Sequence, residues 1–297
     1  MTQRPLAAAL WMSGSIASFI SMAIAGRAVA GVHDTFEIMT WRSLVGFILV
    51  LIAAAATGQM RLISARRWPE HLLRNVFHFT GQNLWFWALT MIPLAQVFAL
   101  EFTAPVWVIL LSPLVLGEKI TRARAAAAGL GFLGVLIVAH PSPTHLSPGI
   151  LAAAACAIGF AVSALLTRDM VRKGEAVISI LFWLTLMQFC MGLGMAMSDG
   201  RMALPTADTA PWLLLIGFAG VFAHFCLTRA LSFAPASFVM PIDFIRLPLI
   251  ALVGMALYDE PLDLLVLIGA AVIFAGNWIN IRAETRTNSP QRSVAKS

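Results

Sequence analysis

The sequence predicts an all-α integral membrane protein whose ten transmembrane helices form two inverted five-helix repeats. Three observations predict this class: the chain is 60% hydrophobic and only 11% charged, it contains a series of long apolar runs, and its second half repeats the first. In soluble domains, roughly a quarter of all residues are charged. We therefore expect most of the apolar surface of this chain to face lipid.

The spans follow from the length of the apolar runs. A helix needs about 20 mainly apolar residues to cross about 30 Å of hydrocarbon, and the alternating pattern of a membrane β-barrel is absent. The first run follows Arg4 and resembles a signal peptide, but further spans follow it, so we expect a retained helix. The predicted spans are 6–25, 35–57, 71–91, 94–116, 123–140, 147–167, 176–198, 210–231, 235–257 and 262–281.

Basic residues in the loops predict the orientation, because Lys and Arg are enriched in cytoplasmic loops. With the N-terminus in the cytoplasm, only Arg27 and Arg201 of the 20 Lys and Arg residues fall in outside loops, and Arg42 and Arg246 lie within spans. We therefore expect both termini in the cytoplasm. The same bias explains the net charge of +6, so no nucleic-acid partner is expected.

The two halves of the chain correspond when residues 142 positions apart are compared, as Glu101 and Asp243 are. Glu118 and Glu260 correspond in the same way. An odd number of spans in each half makes the second half insert in the opposite direction. Inverted repeats of this kind are typical of secondary transporters, whose sites lie near the bilayer midplane. The predicted units are 1–142, 143–282 and a disordered cytoplasmic tail, 283–297.

The fourth and ninth spans each carry a carboxylate inside an apolar run. Glu101 lies about 12 Å into the fourth span, at 1.5 Å per residue, and Asp243 lies equally deep in the ninth span from the opposite side. A charge at this depth costs a few kcal/mol, so it normally faces a cavity or a partner. Both are candidate substrate or coupling residues, and Arg246, three residues after Asp243, is either part of the site or its neutralising partner.

Polar side chains also interrupt the second, third and eighth spans. Arg42, in the second span, suits a carboxylate or a phosphate, or is simply the partner of Glu101. The other polar groups suit the donors and acceptors of a heterocyclic substrate, or else join neighbouring helices. These groups are His78, Gln82, Asn83 and His224.

Three further sets of residues are predicted to be structural. The indoles Trp85 and Trp87 are predicted to be lipid-interface anchors, with stacking on a substrate as the alternative. The carboxylates Glu118 and Glu260 are predicted partners of nearby basic residues. The glycines Gly129, Gly131 and Gly134 are predicted helix contacts, with a homodimer as one use of them. Motifs for nucleotide or metal binding are absent, so neither a cofactor nor ATP-driven activity is expected.

At these residues the sequence resembles the EamA family of the drug/metabolite transporter superfamily. The matching pattern is Ala88-Leu89, Pro93, Pro105, Gly117-Glu118, Gly129 and Gly134-Val135, repeated more loosely as Ala230-Leu231, Pro235, Pro248, Glu260 and Gly276. The resemblance implies ten helices in a bacterial inner membrane, around a central cavity for a small organic metabolite. The stretch LAQVFALEFTAPVW is most similar to bacterial members linked with riboflavin uptake.

Riboflavin uptake by alternating access is therefore the substrate-level expectation, with an amino-acid or metabolite exporter as the alternative. A membrane enzyme is the competing class, in which His78, His224 and Glu101 would act as acid, base or metal ligands. The duplicated scaffold argues against an enzyme, because a single catalytic site does not require two copies.

Overall fold

A computed structural model describes residues 4–139, 147–198, 200–234 and 236–287, and the residues it describes are helical apart from short connections. A short 3₁₀ helix (Met60–Leu62) lies between the second and third α-helices. The α-helices are α1 (Pro5–Val29), α2 (Thr35–Ala56), α3 (Trp68–Met91), α4 (Leu94–Glu101), α5 (Ala104–Leu116), α6 (Arg122–Ala139), α7 (Pro148–Arg172), α8 (Val177–Ala196), α9 (Ala210–Phe233), α10 (Ala236–Asp243), α11 (Arg246–Tyr258) and α12 (Leu264–Thr287).

The all-α membrane class is confirmed. Within the described ranges, 8 segments are long and apolar enough to cross a membrane, and α11 is a shorter apolar helix. One of these segments is α4 and α5 taken together, and α3 is not among them because its sequence is more polar. The count of ten spans therefore stays a prediction. Helix α12 ends at Thr287, so the first five residues of the predicted tail are helical, and the rest of that tail lies outside the described residues.

Helix pairing has the pattern of a pseudo-twofold axis. When residues 142 positions apart are matched, α1 corresponds to α7 and α3 to α9. Helix α1 packs against α9, and its counterpart α7 packs against α3. The remaining large contacts join counterparts directly, α2 to α8 and α6 to α12. Each half therefore packs mainly against the other half, and the interface between the repeats runs through the whole molecule.

Glycines set the close contact between α6 and α12. A Cβ on Gly134 would lie 2.7 Å from the Gly269 carbonyl oxygen, and one on its counterpart Gly276 would lie 2.8 Å from the Ala127 oxygen. A Cβ on Gly131 would lie 2.1 Å from the Val106 side chain. The predicted packing role is confirmed for Gly131 and Gly134. Gly129 is exposed and has no atom within 4 Å of its Cβ position, so the structure shows no helix contact for it.

The fourth and ninth predicted spans are each broken at corresponding positions. Helix α4 ends at Glu101 and α10 at Asp243, and α5 and α11 begin three residues later in each case. The residues that follow these ends, Phe102 and Phe244, stack on each other with ring centroids 4.4 Å apart and an interplanar angle of 17°. The two breaks therefore meet on the pseudo-twofold axis.

The two ends of the bundle differ. We call the end that holds Arg27 and Glu260 the Glu260 end and the opposite one the Glu118 end. At the Glu260 end, α11 packs against α4, which leaves a groove of about 850 Å³ between α11 and α1. The counterpart of α11, α5, lies instead along α7. The half-helices thus occupy unequal positions although their sequences correspond.

Side-chain exposure shows the same inequality. On α3, Gln82, Phe86 and Leu89 are buried, whereas their counterparts on α9 are exposed. These counterparts are His224, Thr228 and Leu231. Because α9 runs towards the Glu118 end, its side chains are accessible there, while the corresponding α3 side chains are buried towards the Glu260 end. In this sense we call the Glu118 end open and the Glu260 end closed.

Candidate functional site

Three charged side chains meet where the broken spans cross. Arg246 Nη2 lies 3.3 Å from Glu101 Oε1 and 3.2 Å from Asp243 Oδ2. We call Glu101, Asp243 and Arg246 the midplane cluster. The structure therefore brings together three of the predicted site residues, and it confirms the predicted pairing of Asp243 with Arg246.

Each charge of the midplane cluster stands at the unfavourable end of its helix. Glu101 and Asp243 are the last residues of α4 and α10, where the helix dipole is negative, and Arg246 is the first residue of α11, where it is positive. The carboxylates and the guanidinium therefore stabilise one another more than their helices stabilise them. Loss of one member leaves the others with unfavourable dipoles as well as an unpaired charge.

Aromatic rings surround the Arg246 guanidinium. Its Cζ lies 4.5 Å from the ring centroid of Phe19, 4.6 Å from that of Phe102 and 5.1 Å from that of Phe98. The Trp85 indole Nε1 donates a hydrogen bond to Glu101 Oε2 at 2.7 Å. The prediction that Trp85 anchors the lipid interface is therefore wrong: Trp85 is 1% exposed, and its indole is bonded to the Glu101 carboxylate.

The midplane cluster retains unused hydrogen-bonding capacity. Arg246 Nε and Nη1 are buried donors, and Asp243 Oδ1 is a buried acceptor, and none of them has a partner among the described residues. Buried polar atoms in folded proteins are nearly always satisfied, so such atoms are places where a ligand or water binds. The midplane cluster can therefore donate hydrogen bonds from Arg246 to a bound molecule and accept one from it at Asp243.

Arg42 is not the partner of Glu101, which corrects one of the two predicted roles. Its Nη1 donates to Gln188 Oε1 at 3.3 Å, and its guanidinium lies beside Gly220 of α9. Arg42 is 9% exposed, and its Nε has no partner among the described residues. The buried cation therefore belongs to a second polar region, formed by α2, α8 and α9.

The polar residues of α3 and α9 have different surroundings. His78 Nδ1 lies 3.3 Å from Ser163 Oγ, and Asn83 Nδ2 donates to the Phe79 carbonyl oxygen of its own helix. Gln82 is 4% exposed, whereas His224 is exposed and lies edge-on to Phe19. A substrate-binding role for these residues stays a prediction, and His224 is the member with the accessible ring.

Glu118 and Glu260 pair with basic residues, as predicted. Glu260 pairs with Arg27, and its Oε2 accepts from the backbone N–H of Leu94 at 2.9 Å, so it ties α1, α4 and α11 together. At the other end, Glu118 lies 3.1 Å from Arg124 and 2.9 Å from Arg168. Each carboxylate therefore stabilises contacts between helices at one end of the bundle.

Metal-ligand geometry is not found in the part of the chain that the structure describes. No three His, Cys, Asp or Glu side chains there form a group that could hold a metal ion. His78 and His224 lie on different helices, and neither contacts Glu101. The metal-ligand version of the membrane-enzyme alternative has no geometric support.

Comparison with known proteins gives consistent matches over nearly the whole chain. The model of the family described as EamA-like transporter family matches residues 6–139 and 147–282. A riboflavin transporter of Vibrio cholerae is 29% identical over 98% of both chains, and one of Rhizobium johnstonii is 28% identical over 95% of this chain and 93% of the relative. An S-adenosylmethionine uptake transporter of Rickettsia prowazekii is 26% identical over 86% of this chain and 85% of the relative's length.

A solved structure supports the fold. It is a protein crystal structure that superposes with a TM-score of 0.66 at 19% sequence identity, over 95% of this chain and 98% of the other.

Proposed function

The chain belongs to the EamA-like transporter family, and from that premise we propose that it is an inner-membrane secondary transporter that moves a small organic metabolite by alternating access. The observation that carries this proposal is the midplane cluster, placed where two broken spans cross between a closed end and an open end. Secondary transporters bind substrate at such breaks, near the midplane between inverted repeats. Membership of a transporter family also decides against a membrane enzyme.

Ten spans with both termini in the cytoplasm are part of the proposal. Each predicted span coincides with one helix or with two consecutive half-helices, α4–α5 and α10–α11. The distribution of basic residues supports an orientation in which the Glu260 end lies outside and the Glu118 end lies in the cytoplasm. In this orientation, the described conformation faces the cytoplasm, and the repeats are 1–142 and 143–282.

The half-helices supply a physical mechanism for alternation. Helix α11 now packs on α4 and closes the Glu260 end, while α5 lies along α7 and leaves the Glu118 end open. In the opposite state, α11 would lie along α1, filling the groove there, and α5 would pack on α10. The two states can interconvert because the repeats correspond: α5 can adopt the packing that α11 has in the described structure, and α11 can adopt that of α5.

Riboflavin is the proposed substrate, and two bacterial relatives named riboflavin transporters support it. An amino-acid or metabolite exporter is the alternative within the family. The relative named an S-adenosylmethionine uptake transporter adds a second uptake substrate to test.

Uptake of labelled riboflavin tests the proposal, in a bacterial strain that neither makes nor imports it. Wild-type protein should support uptake, and Glu101→Gln should lower the rate about tenfold, since it removes one charge of a buried ion pair while keeping an acceptor for Trp85. Glu70→Gln is the matched control, because Glu70 pairs with Arg67 and Lys173 at a partly exposed position near the surface.

Two results would contradict the proposal in different ways. No uptake by folded wild-type protein in the membrane would exclude riboflavin, and S-adenosylmethionine and amino acids would be tested next, in both directions. Full activity of Glu101→Gln would exclude a role for the midplane carboxylate in transport.

A further inference from the structure

We infer that Arg42 binds an anionic group, a carboxylate or a phosphate, of the transported molecule. This inference rests on the proposed transport function and discriminates among its candidates: S-adenosylmethionine and amino acids carry a carboxylate, whereas riboflavin is neutral, so the inference favours the former. It concerns a residue outside the midplane cluster, on a helix that takes no part in the broken spans.

Burial of an unpaired cation is the first observation. Arg42 is 9% exposed, and none of the described carboxylates lies within ion-pairing distance of its guanidinium. Taking a charge out of water costs several kcal/mol unless an opposite charge or several hydrogen bonds offset it. Arg246, also buried, has two carboxylates within 3.3 Å, and buried Arg74 has two hydrogen bonds of 2.7 Å, whereas Arg42 has a single hydrogen bond of 3.3 Å to Gln188.

The atoms left without partners beside Arg42 are donors. Arg42 Nε is buried and unpaired, and so is Nε2 of Gln188, whose Oε1 accepts the 3.3 Å hydrogen bond from Arg42. A guanidinium has five N–H donors and no acceptor, so only an acceptor can satisfy it. Carboxylates and phosphates match its fork with two parallel hydrogen bonds, which are the strongest bonds that it forms.

Gly220 allows the Arg42 guanidinium to approach α9 closely. A Cβ at this position would lie 3.0 Å from Arg42 Nη2 and 3.1 Å from Nε, so any larger residue would press on the two nitrogens. One helical turn later on α9, His224 is exposed, and Thr228 is exposed another turn on. The same face of α9 therefore leads from Arg42 to exposed side chains towards the Glu118 end, and the inference takes this face as the ligand's route to the cation.

The charges along this route favour an anion. Arg74 is buried, and the hydrogen bonds of its guanidinium go to neutral acceptors, Thr167 Oγ1 and Asn75 Oδ1, each at 2.7 Å. Both Arg42 and Arg74 lie near enough to His78 and His224 to interact with them electrostatically. The two carboxylates nearest the axis already share Arg246, so the route retains an excess of positive charge.

Matched pairs of small probes test the inference on purified protein. The carboxylate arm compares benzoate with benzamide, and the phosphate arm compares riboflavin 5′-phosphate with riboflavin, with dissociation constants taken from calorimetry. In at least one arm, the anion should bind wild type about tenfold more tightly than its neutral counterpart, as expected for a charge-assisted hydrogen bond. The arm in which the preference appears identifies the anionic group.

Three variants assign the preference to Arg42. Arg42→Gln should reduce the ratio of the neutral probe's dissociation constant to that of the anion to about one. Arg42→Lys should keep part of this ratio, because lysine keeps the charge but loses the planar fork. Arg66→Gln removes an exposed arginine and should leave the ratio unchanged. Should Arg42→Gln fail to fold, the lysine variant, which keeps the buried charge, still tests the residue, since an undiminished ratio there would contradict bidentate binding.

The inference is overturned if wild type shows no anion preference in either arm, if neither anion binds at all, or if the preference survives in Arg42→Gln. These outcomes are distinct from failure of the proposed function. Absence of riboflavin uptake would exclude that substrate and leave the anion preference measurable, whereas loss of the preference would leave uptake of a neutral substrate intact.

Discussion

At the scale of single residues, Arg246 is the position on which the centre of the molecule depends. It joins the carboxylates of both repeats, it lies against three aromatic rings, and its positive charge opposes the dipole of its own helix. Removing one partner of a buried ion pair is costly because the remaining charges stay buried without compensation.

Arg246→Gln should therefore destabilise the protein by about 3–5 kcal/mol, because two carboxylates lose their shared cation. The measurement is the thermal unfolding midpoint in detergent. The double variant Arg246→Gln/Asp243→Asn should recover part of the loss, since it removes one of the two stranded charges. A single variant as stable as wild type would mean that water already compensates the carboxylates.

Trp85→Phe tests the indole hydrogen bond by keeping an aromatic ring and removing its donor. Trp85 Nε1 donates to Glu101 Oε2 at 2.7 Å, so the change should cost about 1.5–3 kcal/mol, the range for a hydrogen bond to a charged group. Thermal unfolding of Trp87→Phe provides the control, because Trp87 is 42% exposed. Equal losses in both variants would show that ring size, and not the hydrogen bond, causes the effect.

The sequence was sufficient to predict the charged members of the site but not their surroundings. Glu101 and Asp243 stand out because charges are rare inside apolar runs, and Arg246 follows from its spacing on one helix. Phe19 and Phe98 could not be identified, because in a chain with 19 Phe residues one ring beside a cation resembles any other. The sequence also could not identify the partner of Arg42, because the residue that Arg42 contacts depends on how the helices pack.

At the scale of helices, the breaks in the fourth and ninth spans follow from proline chemistry. Pro105 and Pro248 have no N–H to donate to Glu101 and Phe244, four residues earlier, so the helical hydrogen bonding is interrupted there. The next carbonyl, that of Phe102, also leaves the helical pattern, because the Val106 N–H donates to Thr103, and it accepts from Asn277 Nδ2 at 3.3 Å. A proline inside a span predicts a kink, whereas the full break here also depends on Asn277, a side chain of another helix that satisfies the Phe102 carbonyl and that no local pattern reveals.

Gly276→Ala should destabilise the contact between α6 and α12, because the new Cβ would lie 2.8 Å from the Ala127 carbonyl oxygen. Overpacking of this kind costs about 1–3 kcal/mol and should lower the thermal unfolding midpoint. Gly129→Ala is the matched control on α6: nothing lies within 4 Å of its Cβ position, and alanine favours the helix by about 1 kcal/mol. A neutral Gly276→Ala would mean that the two helices separate easily.

At the scale of the whole molecule, the repeat and the fold class could be predicted, but the difference between the two ends could not. Corresponding residues specify both halves, so the pattern of spans and loops is symmetric. The described conformation is not symmetric, since Gln82 is buried and its counterpart His224 is exposed. Which end closes depends on a small free-energy difference between two packings of the same helices, and such a difference has no signature in the sequence.

Cysteine labelling measures this difference directly. In a Cys190→Ser background, His224→Cys should react quickly with a hydrophilic maleimide, and Gln82→Cys slowly. Adding Glu260→Gln should weaken the tie between α1, α4 and α11, so Gln82→Cys should react faster and His224→Cys more slowly. Parallel increases at both positions would indicate general loosening and contradict a two-state exchange.

The lone Arg246 has a consequence for how cargo is held on the axis. Its counterpart in the first repeat is Ala104, so the two half-sites share carboxylates but not the cation. A molecule lying between identical half-sites would bind in two orientations of equal free energy. Either of its ends would then face a given side of the membrane with equal frequency. One guanidinium removes that degeneracy, so the same chemical group of each molecule points to the same side of the membrane in every cycle.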